Sequence, residues 1–153
     1  MRESAGILLH RSTGGSLEVL LAHPGGPFWA KKDEGAWTIP KGEVDHPEEL
    51  VACALRELRE ELGSPPELDP TTLVSLGSVK QRAKVVHCWA AEAEFDPATV
   101  RSNNFSMEWP PRSGKDQQFP EIDRAEWFSP ERARDKILAA QAPFIDRLLE
   151  LLD

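Results

Sequence analysis

Apolar segments separated by turn residues predict the strands of a β-sheet. Two of these segments flank a Ser-Thr-Gly-Gly turn at 12–15, and two more flank a basic turn at 80–84. Shorter apolar segments elsewhere predict two further strands. The predicted strands are 5–10, 17–22, 36–39, 72–79, 85–93 and 125–128. The stretch 96–120 is predicted to be irregular, because Pro and Gly residues interrupt it at 109–114.

The strongest helical pattern lies at 48–62. Its apolar residues recur at spacings of three and four: Val51, Ala54, Leu55, Leu58 and Leu62. Asp45 or His46 is the predicted N-cap, because Pro47 suits the first helical position. Gly63 is the predicted C-terminal stop. Two further helices are predicted, one starting at 129–130 and one over 144–152. Strands mixed with helices predict an α/β (α+β) sandwich.

Length, composition and charge limit the class of protein. With 153 residues and 40% hydrophobic content, the chain suits one globular domain over residues 1–153. A net charge of −8 argues against passive binding to nucleic acid or anionic lipid. No apolar run approaches the length of a membrane span. Two isolated cysteines, Cys53 and Cys88, predict neither a disulfide framework nor a thiolate zinc site, so we expect a cytoplasmic protein.

The negative charge is concentrated in one segment. Seven acidic and two basic residues lie between Glu43 and Glu61. Glu57, Glu60 and Glu61 stand at i, i+3 and i+4 and so share one helix face, where like charges repel. A hard divalent cation such as Mg²⁺ would relieve this repulsion. The alternative is a solvated, charge-rich helix face.

The exact spacing favours the metal site. Residues 42–63 read GEVDHPEELVACALRELREELG, which resembles the Nudix box G-x5-E-x7-R-E-U-x-E-E-x-G-U, where U is aliphatic. The matching positions are Gly42, Glu48, Arg56, Glu57, Leu58, Glu60, Glu61 and Gly63. Only the last position departs from the pattern, since Ser64 stands where an aliphatic residue is usual. The preceding WTIPKG segment also resembles the usual lead-in to the box.

The resemblance implies a Nudix-type α/β/α sandwich with a mixed sheet and two or three bound Mg²⁺ or Mn²⁺ ions. It implies the metal ligands Gly42, Glu57, Glu60 and Glu61. Arg56 is implied to orient the glutamates, and Glu60, Glu57 and Arg56 form the implied catalytic group. A general base outside the box is a further possibility, for which Glu121 and Asp123 are candidates. The alternative for these two is a role as solvated loop acids.

Residues outside the box supply candidates for substrate contact. The basic candidates for binding phosphates are Lys41, Lys80, Arg82 and Lys84, and the alternative is an exposed charged turn. The candidates for stacking on a base are Phe28, Trp29 and Trp109. His87 is predicted to be a core histidine, whereas His10, His23 and His46 have no recognisable partner pattern.

Segments beyond the box resemble a bacterial Nudix group related to dinucleoside polyphosphate hydrolases. This resemblance implies asymmetric cleavage of diadenosine tetraphosphate to ATP and AMP, although the chain has no Tyr to match the one downstream of the box in some of these enzymes. The alternatives are pyrophosphohydrolysis of nucleoside triphosphates or of RNA 5′ ends. An alternative of another class is a nucleotide-sensing module without catalysis. We expect a small-molecule nucleotide partner, with neither stable nucleic-acid binding nor a membrane.

Overall fold

The computed structural model describes residues 2–153 and has a mixed, six-stranded sheet as its centre. Its strands run in the order β4–β5–β1–β2–β8, and β3 pairs with β1 beside this path. The strands are β1 (Arg2–Thr13), β2 (Ser16–Pro24), β3 (Lys41–Glu43), β4 (Val74–Gln81), β5 (Lys84–Glu92), β6 (Asn104–Glu108), β7 (Asp116–Pro120) and β8 (Ile122–Phe128). The helices are α1 (Leu50–Leu62), α2 (Pro130–Lys136) and α3 (Ala142–Leu152).

Strand β1 sets the position of the segment 38–43 within the sheet. It runs parallel to β5 along one edge, while its other edge pairs first with β3 and then with β2. The Ile7 N–H donates to the Pro40 carbonyl (3.1 Å), and Ala22 and Thr38 exchange two hydrogen bonds. The segment 38–43 therefore enters the sheet where β1 and β2 separate, and it ends directly beside α1.

Two separate cores confirm the α/β/α arrangement. On one face of the sheet, Ile7, Leu9 and Leu20 pack with Leu58 and Leu62 of α1. The opposite face packs against α2 and α3 through these buried residues: Leu8, Val19, Leu21, Trp37, Ala133, Phe144, Ile145 and Leu148. Ile7 and Leu9 face the core under α1 whereas Leu8 faces the core under α2 and α3. This alternation is the period of two residues expected of a strand buried on both faces.

Helix α1 begins at Leu50, two residues later than predicted. Neither Asp45 nor His46 is the N-cap; Glu49 takes that position without a side-chain hydrogen bond. Residues 45–48 instead form a turn, in which the Glu48 N–H donates to the Asp45 carbonyl (2.8 Å). The Glu48 carboxylate is also engaged, because it accepts hydrogen bonds from Arg56 and from the Asp45 N–H. These contacts hold the segment before α1 outside the helix.

The prediction of irregular structure over 96–120 is wrong in part. Strands β6 and β7 form an antiparallel hairpin, with Phe105 opposite Phe119, and the Pro- and Gly-containing segment 109–114 lies in its turn. Residues 36–39 also differ from the prediction, since they form isolated bridges at Trp37 and Thr38 and no strand. Among residues 2–153, no helix is long and apolar enough to cross a membrane.

Candidate active site

Glu57 of α1 packs against the backbone of Gly42 in β3. A Cβ atom on Gly42 would overlap the Glu57 carboxylate, so this approach requires a residue without a side chain. The Gly42 carbonyl oxygen lies 3.6 Å from Cys53 Sγ, at the same junction of strand and helix. Glu57 is only 8% exposed and Glu61, one turn further on, is 6% exposed. The helix thus carries two carboxylates into the interior beside β3.

Glu121 completes a group of three carboxylates. One carboxylate oxygen from each of Glu57, Glu61 and Glu121 lies within 4.8 Å of the other two. Burial, together with the charge of Glu60, raises the pKa of Glu57 to about 7. Burial and the charge of Glu57 raise the pKa of Glu61 well above its ordinary value. Oxygen donors in a repelling, partly buried group are the chemistry that Mg²⁺ and Mn²⁺ prefer, so these residues fit such an ion.

Backbone hydrogen bonds carry Glu121 to α1. The Asn103 N–H donates to the carbonyl of Glu60 (2.9 Å), and the Glu121 N–H donates to the carbonyl of Asn103 (2.9 Å). On its other side, Glu121 accepts a hydrogen bond through its carbonyl from the Gly25 N–H (2.9 Å). Glu121 was predicted only as one of two candidate bases, and this chain of contacts places it in the carboxylate group.

Arg56 joins three of the acidic residues around α1. Its Nε and Nη2 atoms donate to the two carboxylate oxygens of Glu48 (2.8 and 3.0 Å), and its Nη1 atom donates to Glu57 (3.2 Å) and Glu60 (2.9 Å). The Arg56 hydrogen bonds hold the pKa of Glu48 at about 2. Glu60 lies beside the three-carboxylate group, and its charge contributes to the raised pKa of both Glu57 and Glu121.

Asp123, the other candidate base, contacts His23 and does not belong to the carboxylate group. Its Oδ1 atom lies 2.8 Å from Nδ1 of the fully buried His23, whose Nε2 atom lies 2.6 Å from the Lys32 carbonyl oxygen. The sequence shows no partner pattern for His23 because its partner comes from a distant strand. His87 is partly buried and its Nε2 atom lies 2.8 Å from Glu3.

The predicted basic residues are not all in one place. Lys41 is next to the carboxylate group, and its backbone N–H donates a hydrogen bond to Glu61 Oε1 (3.3 Å). Burial and the nearby charge of Lys84 lower the pKa of Lys41 to about 8. Arg82 and Lys84 line a cavity of about 710 Å³, here named the cationic cavity. Lys80 is exposed and does not line this cavity.

An aromatic pair separates the cationic cavity from a second one. Phe28, 62% exposed, stacks edge-on against Trp29 at a centroid distance of 5.2 Å, and Lys32 Nζ lies 3.6 Å from the Phe28 centroid. Among residues 2–153, those that line the cationic cavity are Arg2, Phe28, Trp29, Lys32, Gln81, Arg82, Ala83, Lys84, Leu138, Ala139 and Ala140. The second cavity, here named the hairpin cavity, has a volume of about 440 Å³. Its lining is Pro24, Gly25, Gly26, Phe28, Trp29, Phe105, Met107 and Glu121.

Phe105 and Met107 were missed by the reasoning from sequence. They lie on β6, in the stretch predicted to be irregular. Their spacing of two residues before the WPPRSG segment is the signal of a strand entering a turn. Trp109, a predicted stacking candidate, lies beyond β6 and lines neither of the two cavities.

Comparison with known proteins agrees with this geometry. The family model of the NUDIX domain matches residues 1–148. The chain belongs to the Nudix family. No curated protein sequence matches it.

Solved structures share the Nudix fold over nearly the whole chain. A C. elegans Ap4A hydrolase binary complex has a TM-score of 0.68 and 22% identity, with 99% of this chain and 98% of that chain covered. A second C. elegans Ap4A hydrolase structure has a TM-score of 0.64 and 21% identity, with 100% and 99% covered. The NUDIX domain of Shewanella oneidensis NrtR, complexed with ADP ribose, has a TM-score of 0.63 and 20% identity, with 99% and 88% covered.

Proposed function

We propose that this Nudix protein is a Mg²⁺- or Mn²⁺-dependent pyrophosphohydrolase of nucleoside polyphosphates, with diadenosine tetraphosphate, cleaved to ATP and AMP, as its favoured substrate. The observation that carries the proposal is the carboxylate group of Glu57, Glu61 and Glu121. Glu121 also lines the aromatic hairpin cavity, and Lys41 and Lys84 lie between the group and the cationic cavity. Fold similarity to Ap4A hydrolases over the full length of both chains supports the choice of substrate.

Gly42, Glu57 and Glu61 are the proposed holders of the metal, with Glu60 at the edge of the group. When bound, divalent ions would neutralise phosphate charge and lower the pKa of water at the scissile bond. Arg56 fixes the orientation of Glu57 and Glu60 through its Nη1 atom. A planar guanidinium suits this task because its donors have a fixed geometry.

Glu121 is the proposed proton acceptor. Its pKa is raised by burial and by the charge of Glu60, which makes it a stronger base than an ordinary glutamate. Glu60 is the weaker candidate, because it accepts a charge-assisted hydrogen bond from Arg56. Asp123 is not proposed for this role, since its carboxylate contacts His23.

Lys41 and Lys84 are the proposed contacts for the distal phosphates of the substrate, which extend away from the reacting centre. Lys41 lies beside Glu61, and Lys84 lies between Lys41 and the cationic cavity, where Arg82 also reaches the lining. Both lysines therefore connect the carboxylate group to the cationic cavity. Lys80 is not included, because it does not line that cavity.

The test is product analysis with a panel of substrates. The protein is incubated with Mg²⁺ and diadenosine tetraphosphate, ATP, ADP-ribose or a 5′-triphosphorylated RNA, and the products are separated by anion-exchange chromatography. We expect the wild-type protein to release equal amounts of ATP and AMP from diadenosine tetraphosphate. We expect no product in excess EDTA and no product with the Glu57→Gln variant. Turnover confined to monomeric triphosphates or RNA would contradict the choice of substrate. Binding of the nucleotides without turnover of any of them would favour the sensing module.

A further inference from the structure

We propose that the hairpin cavity binds a nucleobase of the substrate, with Phe105 of β6 and Trp29 as its stacking surfaces. The proposal rests on the proposed function, because it names the part of a nucleotide substrate that this side of the site receives. It assigns a role to the β6–β7 hairpin, which neither the Nudix box nor the carboxylate group explains.

The position of the cavity is the first argument. Glu121 lines the hairpin cavity and also belongs to the carboxylate group with Glu57 and Glu61. A molecule seated in this cavity is therefore adjacent to Glu121, one of the three carboxylates of the reacting centre. A nucleoside attached to the attacked phosphate has to lie next to that centre.

The walls are the second argument. Phe28 and Trp29 come from the loop after β2, and Phe105 and Met107 come from the same face of β6, so apolar side chains from two segments line one space. Aromatic and thioether groups on two sides suit a flat heteroaromatic ring, which they contact through its faces. The volume of about 440 Å³ admits a group of this size.

The hairpin is held against the loop by close packing. A Cβ atom on Gly26, whose φ is 93°, would lie 2.9 Å from Cζ of Phe105. A Cβ atom on Gly25 would overlap the Pro120 carbonyl, and the Gly25 N–H donates to the Glu121 carbonyl. The Phe119 ring, opposite Phe105 across the hairpin, lies at a centroid distance of 6.1 Å from it. Phe105 is thus fixed in place before any ligand enters, which lowers the entropic cost of binding.

Charge separates the two cavities by ligand type. Within the part of the chain that the structure describes, four basic side chains line the cationic cavity: Arg2, Lys32, Arg82 and Lys84. Glu121 is the one charged residue there that lines the hairpin cavity. Phosphates favour the first environment and an uncharged base favours the second. Because Phe28 and Trp29 line both cavities, a substrate can extend from one to the other past this pair.

The test compares AMP with ribose 5-phosphate, which lacks the base, in the presence of Mg²⁺. Dissociation constants are measured by isothermal titration calorimetry on the wild-type protein and on Phe105→Ala, Phe105→Tyr and Trp109→Ala. We expect the wild-type protein to prefer AMP about ten- to hundredfold, the range that stacking of one base supplies. Phe105→Ala should remove most of this preference, whereas Phe105→Tyr should keep it.

Trp109→Ala is the matched control, since it removes a large aromatic side chain from the same hairpin outside the cavity lining. It should leave the preference for AMP unchanged, and circular dichroism should show the same fold for all variants. An unchanged preference in Phe105→Ala, or an equal loss for AMP and ribose 5-phosphate, would overturn the proposal. Binding is measured without turnover. If the preference for AMP depends on Phe105 but the protein hydrolyses no substrate, the proposed hydrolase activity is rejected while the nucleobase site in the hairpin cavity is supported.

Discussion

The Cα atom of Gly42 lies so close to the carboxylate of Glu57 that a Cβ atom at residue 42 would overlap it. We predict that Gly42→Ala displaces Glu57 from the carboxylate group. The expected results are a loss of about 1–3 kcal/mol in the free energy of unfolding, from overpacking, and a loss of about ten- to hundredfold in Mg²⁺ affinity. Chemical denaturation and calorimetric titration of Mg²⁺ measure the two effects.

The double variant Gly42→Ala/Glu57→Ala is the control. It removes the overlapping group, so it should recover most of the lost stability while Mg²⁺ affinity stays low. A Gly42→Ala protein with wild-type stability and wild-type Mg²⁺ affinity would show that the close approach has no energetic consequence.

Glu121 and Asp123 are two residues apart, yet they have different partners, and this separates their expected effects. Glu121→Gln keeps the shape of the side chain but removes its basicity, so we predict a fall of about 10²- to 10⁴-fold in kcat for diadenosine tetraphosphate. Asp123→Asn alters the contact with His23 and should lower stability more than kcat. Steady-state kinetics with saturating Mg²⁺ test the role of Glu121, because an unchanged kcat in Glu121→Gln contradicts its role as base.

Glu60→Gln should lower kcat by orders of magnitude while leaving the fold nearly intact. Steady-state kinetics and circular dichroism measure the two properties, and an unchanged kcat would contradict a role for Glu60 in the reaction.

The part of the site that could be predicted is the part contained in one continuous segment. Gly42, Arg56, Glu57 and Glu61 lie within 22 residues, and helical spacing alone places the glutamates on one face. The family and the α/β/α sandwich followed from this segment and are confirmed. The contact of Glu121 with the site depends instead on backbone hydrogen bonds through Asn103.

No local pattern predicts such long-range contacts. The pairing of His23 with Asp123 joins positions 100 residues apart. The β6–β7 hairpin was missed for a different reason. Each of its strands has only five residues, most of them exposed, and the Pro-rich turn at 109–114 gave the stronger signal.

The raised pKa of Glu57, about 7, predicts how stability depends on pH without metal. A carboxyl group whose pKa is higher in the folded protein stabilises the fold below its unfolded value, near 4.5, and this contribution is lost as pH rises through about 7. The temperature at the midpoint of thermal unfolding in EDTA should therefore decrease as the pH rises from 5 to 8. Mg²⁺ should reduce the fall, because it competes with protons for the same carboxylates, and its affinity should rise over the same range.

Glu57→Gln provides the control for this pH dependence. The amide does not titrate, so the variant should lose part of the fall in stability between pH 5 and pH 8 and should respond less to Mg²⁺. Differential scanning fluorimetry at fixed ionic strength gives both curves. A wild-type midpoint that rises steadily from pH 5 to pH 8 in EDTA would contradict the buried, repelling carboxylate group.

His23 joins β2 to Asp123 of β8 and to the Lys32 carbonyl, and its ring stacks edge-on against Trp37 at a centroid distance of 5.0 Å. We predict that His23→Phe keeps this packing but removes both polar contacts, which costs about 1–3 kcal/mol of unfolding free energy. The segment that carries Phe28 and Trp29 loses an anchor at Lys32, so KM should rise more than kcat falls. His46→Ala is the control, because His46 is exposed and its loss should change stability by less than about 0.5 kcal/mol. Urea denaturation and steady-state kinetics measure these effects, and a His23→Phe protein with unchanged stability and KM would show that His23 does not position the segment.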